Sequence, residues 1–240
     1  MSTFVLVHGA WHGAWCWKNV IPELEALGHR AVTPDLPGLG DDPTPADAVT
    51  LDDYIARIVE VVDARNGKVV LLGHSMGGMV VTGATEQRPE KIDWLVYLAA
   101  FLPRNGECLL ALEERNPDPR VPPNVIPSEN REILTLRDDM ITTLFYHDCT
   151  AFDAAWARSR LRPQSAKPLG APVQTTASRF GSVRRAYIEC TDDRAIGIGF
   201  QREMIRGSPC NSVISLPCGH SPFFSMPGRL ARVLSDLATS

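Results

Sequence analysis

An α/β fold is the architecture to expect from this chain: a doubly wound, mostly parallel six-stranded sheet with a helical cap insertion. Six apolar runs rich in β-branched residues recur along the 240 residues, several nearly continuous, as in strands covered on both faces. Helical patterns alternate with them, the order that builds a parallel sheet with right-handed crossovers. The alternation then breaks for about eighty residues and resumes, which marks an insertion.

The elements follow in order. "TFVLVH" (3–8) is the first strand, and "WCWKNVIPELEALG" (15–28) is a helix with apolar positions at helical spacing and a glycine stop. "HRAVTPD" (29–35) is the second strand. "TLDDYIARIVEVVDAR" (50–65) is a helix opened by a threonine cap with acids in its first turn. "KVVLLG" (68–73) is a strand, followed by a helix from Met76 to Gln87 and a strand in "KIDWLVYLAA" (91–100). Residues 103–180 lose the rhythm. They hold the proline-rich "NPDPRVPPNVIP" (116–127) and short helical pieces such as "FDAAWARSRL" (152–161). "VRRAYIEC" (183–190), a helix, "NSVISLP" (211–217) and a last helix near 227–238 complete the pattern. The expected division is therefore a core of 1–102 and 181–240 with a cap of 103–180 lying over an active site.

Composition narrows the classes. A formal charge of −4 carries no basic bias of the kind that binds nucleic acid or anionic membranes. No apolar run reaches the length of a membrane span, and "MSTFVLVHGAW" lacks the basic start of a signal peptide. The six cysteines (Cys16, Cys108, Cys149, Cys190, Cys210, Cys218) show no C-x-x-C spacing, so reduced thiols in a cytoplasmic protein are expected.

The chemistry centres on "GHSMG" (73–77). G-x-S-x-G directly after a strand and before a helix forms a sharp turn that lifts a serine hydroxyl above the sheet edge. Ser75 is then a nucleophile, and the following helix N-terminus supplies positive potential for an oxyanion. Serine needs a base. His147 and His220 lie downstream of it, and His220 is preferred because "LPCGHSPFFSMP" follows the last strand. The acid that orients the imidazole should end the preceding strand, where "AYIECTDDRAI" offers Asp192 and Asp193, with Glu189 a distant third. Ala10, in the small-residue loop "VHGAWHGAW" (7–15), and Met76 are the expected backbone donors to the oxyanion. Pocket candidates are Trp11, Phe145, Tyr146 and Trp156, with Trp15, Leu109, Leu112 and Phe152 behind them.

With these pieces in place the chain resembles the α/β-hydrolase superfamily, in the branch of plant methyl esterases and hydroxynitrile lyases. The matching stretches are "FVLVHGAWHGAWCW", "LEALGHRAVTPDLPG", "VVLLGHSMGG", "YIECTDDRAI..GFQ" and "GHSPFFSMP". The resemblance implies Asp193 as the acid, supports Ala10 and Met76 as oxyanion donors, and implies an esterase with a Ser-His-Asp triad. The S-selective lyases of that branch carry threonine where Gly9 stands and lysine where Ser221 stands, and a second lyase type has asparagine at the Gly9 position. Those differences imply hydrolysis rather than cyanohydrin cleavage. A small hydrophobic or aromatic ester is the expected partner, with carbamate, amide or lactone as alternatives. A hydroxynitrile lyase or a ligand-binding receptor on the same fold is a remoter alternative. No cofactor or metal is implied, and a homodimer is the expected assembly.

Overall fold

The computed structural model describes residues 1–239. In chain order the first half forms β1 (Thr3–Val7), α1 (Val20–Ala26), β2 (Arg30–Val32), α2 (Leu51–Asp63), β3 (Val69–His74), α3 (Gly77–Gln87) and β4 (Ile92–Leu98). The stretch between β4 and the next long strand holds α4 (Leu109–Glu114), β5 (Val125–Pro127), β6 (Ile133–Leu136), α5 (Asp138–Phe145), α6 (Ala151–Arg158), β7 (Gln164–Ser165) and α7 (Lys167–Gly170). β8 (Arg185–Cys190), α8 (Ile198–Gly207), β9 (Ser212–Leu216), α9 (Pro222–Ser225) and α10 (Pro227–Thr239) close the chain.

The main sheet has six strands in the order β2-β1-β3-β4-β8-β9, with every pairing parallel. Its middle is sealed on both faces: all of β3 and nearly all of β4 are buried. That explains why these strands read as unbroken apolar runs. α2 lies against α3 and buries Leu51, Tyr54, Ile55, Ile58, Val59 and Val62 on one stripe. Its entry is a capping box, in which Thr50 Oγ1 accepts from Asp53 N while the Asp53 carboxylate accepts from Thr50 N.

Strand order reverses between β1 and β3, since the chain winds outward to β2 on one side and to β4 on the other. The carboxyl ends of such a pair leave a crevice where ligands bind in open α/β sheets. The loop after β1 (8–13) and the turn after β3 (75–76) both emerge there.

Three expectations need correction. The helix expected over 15–28 is split into a 3-10 stretch, Ala14–Asn19, and α1. Pro22 has no amide to give the Lys18 carbonyl and its ring crowds that carbonyl, so the regular helix restarts with Pro22 in its first turn. The second strand keeps only three of its seven residues, because Pro34 cannot extend a ladder. The inserted segment is not purely helical: β5, β6 and β7 form a small antiparallel sheet. Among the described residues the cysteines are all free thiols, and no helix is long and apolar enough to cross a membrane.

Candidate active site

Ser75 directly follows β3 with a backbone φ of +54°, a left-handed conformation that strains a side-chain-bearing residue. The surrounding bonds hold it there. Its amide donates to Leu98 O at 3.4 Å, and its carbonyl accepts from Gly78 N at 3.0 Å and Phe101 N at 3.1 Å. Gly77 permits the turn, since a Cβ at that position would lie 2.7 Å from His8 O. α3 begins at once, with Met76 as its N-cap.

The imidazole of His220 is fixed from its Nδ1 side. Nδ1–H donates to Asp193 Oδ2 at 2.8 Å, and both side chains are fully buried. Asp193 is itself pinned, because Oδ1 accepts from the Ala195 and Ile196 amides at 2.7 and 2.9 Å and Oδ2 from Gln201 Nε2 at 3.3 Å. With Nδ1 committed as a donor, Nε2 is left as the basic nitrogen. His74 holds the same residue from behind, its Nε2–H donating to His220 O at 2.9 Å. No hydrogen bond joins Ser75 Oγ to His220 among those present, an arrangement common before substrate binds. The rival acids stand apart: Asp192 is exposed, and Glu189 is taken by Arg202 and Ser215. His147 lines a separate surface cleft with Arg120, Asp148 and Asp192.

The loop after β1 is oriented by two histidines. His8 Nδ1–H donates to Gly9 O at 2.9 Å, while its Nε2 accepts from Leu36 N at 3.1 Å. The Gly9 carbonyl and the Ala10 N–H belong to one planar trans peptide, so anchoring the first aims the second the opposite way. His12 Nδ1–H donates to Ala10 O at 2.7 Å, and its Nε2 accepts from Tyr146 OH at 2.7 Å. Trp11, at φ +62°, is tied to the inserted segment through its indole N–H to Leu134 O and its amide to Gln164 Oε1. Neither the Ala10 nor the Met76 amide donates to any described residue. Both residues line one cavity with Ser75, so their amides are unspent backbone donors of that cavity.

Gly9 sets the clearance of that site. A Cβ there would lie 2.8 Å from Ser75 Cβ and 3.2 Å from His74 Nδ1. Gly9→Ala should therefore displace Ser75 and lower any ester turnover by roughly ten- to a hundredfold, read from initial rates on a folded variant.

His8, His12 and His74 are wholly buried and held neutral. Burial pushes each imidazole below its usual range, and His12, also facing His220 and His8, falls to about 3. The folded state then binds fewer protons than the unfolded chain, whose histidines titrate near 6.5. Their neutral burial costs nothing above that pH and is penalised progressively below it. The unfolding free energy from urea melts should fall steadily from pH 7 to pH 5, by up to about 1.4 kcal/mol per pH unit for each histidine, and the midpoints with it. A flat profile would refute neutral burial.

The cavity measures about 520 Å³ and is walled largely by apolar side chains. Of the sequence candidates Trp11, Phe145 and Leu109 line it. Tyr146 and Trp156 do not. Tyr146 is buried with its hydroxyl on His12, and Trp156 packs edge-on against Trp15 and Phe224 beneath the Lys18 ammonium. Trp15 stacks on His12 and Phe224, Leu112 is wholly buried, and Phe152 is 74% exposed. The sequence reading missed Gln201, which braces Asp193, and the anchoring roles of His8 and His12. Their only signal was a set of histidines and a glutamine beside motif residues.

The chain is similar to known proteins along its length. Residues 4–233 match the model of the alpha/beta hydrolase family. A carbendazim-hydrolyzing esterase of Nocardioides sp. (strain SG-4G) is 32% identical over 243 residues, covering 99% of this chain and 100% of that protein. Salicylic acid-binding protein 2 of Nicotiana tabacum is 35% identical over 250 residues, covering 98% and 96%. Among solved structures, a pyrethroid hydrolase from Sphingobium faniae JZ-2 superposes with a TM-score of 0.90 at 29% identity, covering 100% of this chain and 98% of the other.

Proposed function

The chain belongs to the alpha/beta hydrolase family, and from that premise we propose that it is a serine hydrolase of apolar carboxylic esters. The observation that carries this reading is the shared cavity: Ser75 opens into an apolar space together with the unspent amides of Ala10 and Met76. Residues 103–180 act in it as a cap, contributing Leu109, Val125, Leu134 and Phe145 to the walls.

In the proposed reaction the ester carbonyl sits against those two amides, and Ser75 Oγ attacks as His220 Nε2 takes its proton. Asp193 stabilises the imidazolium and keeps the ring in place without accepting the proton. The oxyanion gains hydrogen bonds that the flat carbonyl made less well, so the transition state is favoured over the ground state. The C–O bond to the alcohol then breaks as His220 returns its proton to the leaving oxygen. Water, activated by the same imidazole, releases the acid and regenerates Ser75.

Carbamates present the same carbonyl to the same attack. They are the second reading, favoured by the match to the carbendazim-hydrolyzing esterase over the full chain. A lyase gains no support here. A threonine at position 9 would bring its Cβ to 2.8 Å from Ser75 Cβ, and residue 221 is a serine without charge.

The test is a panel of aryl, methyl and short alkyl esters with matched carbamates, run beside fluorophosphonate labelling read by mass spectrometry. Turnover together with a covalent adduct on the Ser75 peptide supports the proposal. An inert protein that also fails to label sinks it.

A further inference from the structure

The cavity beside Ser75 is chemically lopsided. Apart from Ser75 and the Trp11 indole N–H, which is already given to Leu134 O, its polar side chains are Glu113 and Glu114, and no basic side chain lines it. All four residues that α4 gives to the cavity lie at one-turn spacing, Glu113 one turn after Leu109 and Glu114 one turn after Leu110.

The two glutamates are not equivalent. Glu114 is exposed, whereas Glu113 is half-buried. Glu113 Oε2 accepts from Asn116 Nδ2 at 3.1 Å, and Oε1 accepts from no described residue. Nearby cations are engaged elsewhere: Arg115 with Glu107 and Glu203, and Arg120 with Asp118. Burial, opposed in part by the Asn116 hydrogen bond, raises the carboxyl's proton affinity above the ordinary glutamate range. A purely apolar ligand filling the cavity would strip water from this group and return no donor, which weakens its binding. An ammonium would supply both a donor and the missing charge. An anionic group would find no basic side chain to pair with, only the backbone amides of Ala10 and Met76 beside Ser75.

We infer that Glu113 is a specificity-determining residue that receives a protonated amine, so that preferred substrates are apolar esters or carbamates bearing a basic nitrogen away from the scissile carbonyl. The inference rests on the hydrolase reading for the word substrate, but its test does not need turnover.

Binding is measured by calorimetry at pH 7.5 on the Ser75→Ala protein, which retains the cavity. Two matched methyl benzoates serve as probes, one with a 4-(dimethylaminomethyl) group and one with the isosteric 4-(2-methylpropyl) group. Introducing Glu113→Leu should weaken the amine ester at least tenfold and tighten its carbon isostere, and Glu113→Gln should fall between. A ratio of the two affinities that moves less than threefold in Glu113→Leu, or failure of the amine ester to bind at all, overturns the inference. Wild-type turnover of both esters is recorded in parallel. A shifted ratio in an inert enzyme would count against hydrolysis alone and leave the amine site standing.

Discussion

Ser75→Ala lowers kcat on any ester the protein turns over by at least about a thousandfold, while the folded state persists. The chemistry loses its only attacking atom, and the oxyanion amides that remain can assist only adventitious water. The fold has no reason to fail. Ser75 is half-buried, its hydroxyl bonds to no described residue, and the turn is held through backbone groups that alanine retains. Alanine also keeps most of the strain of φ +54°, so thermal midpoints of the two proteins should nearly coincide. Ser75→Gly separates strain from chemistry. Glycine adopts that φ freely, so this variant should be equally inactive and about 1 kcal/mol more stable, raising Tm by about 2–4 °C. A melting point that falls in Ser75→Gly would show that the turn is not strained in the folded protein. Activity surviving in Ser75→Ala would remove serine catalysis altogether.

What was legible beforehand divides along physical lines. The inner strands were readable because burial on both faces demands nearly unbroken apolar runs, and β1, β3, β4 and β8 are such runs. The turn at Ser75 was readable because it needs glycine at fixed neighbours, a constraint written in consecutive residues. The choice between Asp192 and Asp193 was not readable from spacing. It depends on which carboxylate curls back over the amides of Ala195 and Ile196, and that is a property of the folded turn. Phe145 and Tyr146 show the same limit at the end of α5. Phe145 closes the helix and reaches the cavity, while Tyr146 leaves it as the C-cap at φ −134° and bonds His12, and composition does not say which does which. The small sheet of the inserted segment escaped notice because its strands run two to four residues, shorter than any alternation can establish. Where a contact joins distant segments through side-chain direction, sequence pattern names the participants and leaves the pairing to the fold.

Asp193→Asn carries the other severe effect, a loss of about 10⁴ in kcat, and it acts through a hydrogen rather than a charge alone. Asp193 receives four donors: two amides on Oδ1, and Gln201 Nε2 and His220 Nδ1 on Oδ2. Asparagine has one oxygen to offer. Turned toward the Ala195 and Ile196 amides, it presents its NH₂ to His220, and Nδ1 must then become the acceptor. The ring proton moves to Nε2, where the base for Ser75 should be vacant. Turned the other way, the NH₂ confronts two buried amide donors, which costs more than the histidine tautomer does. The amide therefore settles in the orientation that disables catalysis. Substrate affinity depends on the cavity walls, so KM should stay within about threefold while kcat collapses. Asp192→Asn, on the exposed neighbour, should change kcat by less than threefold. If the two substitutions exchange these outcomes, the acid has been assigned to the wrong aspartate. If Asp193→Asn lowers the melting point and kcat in proportion, its carboxylate serves the turn and not the histidine.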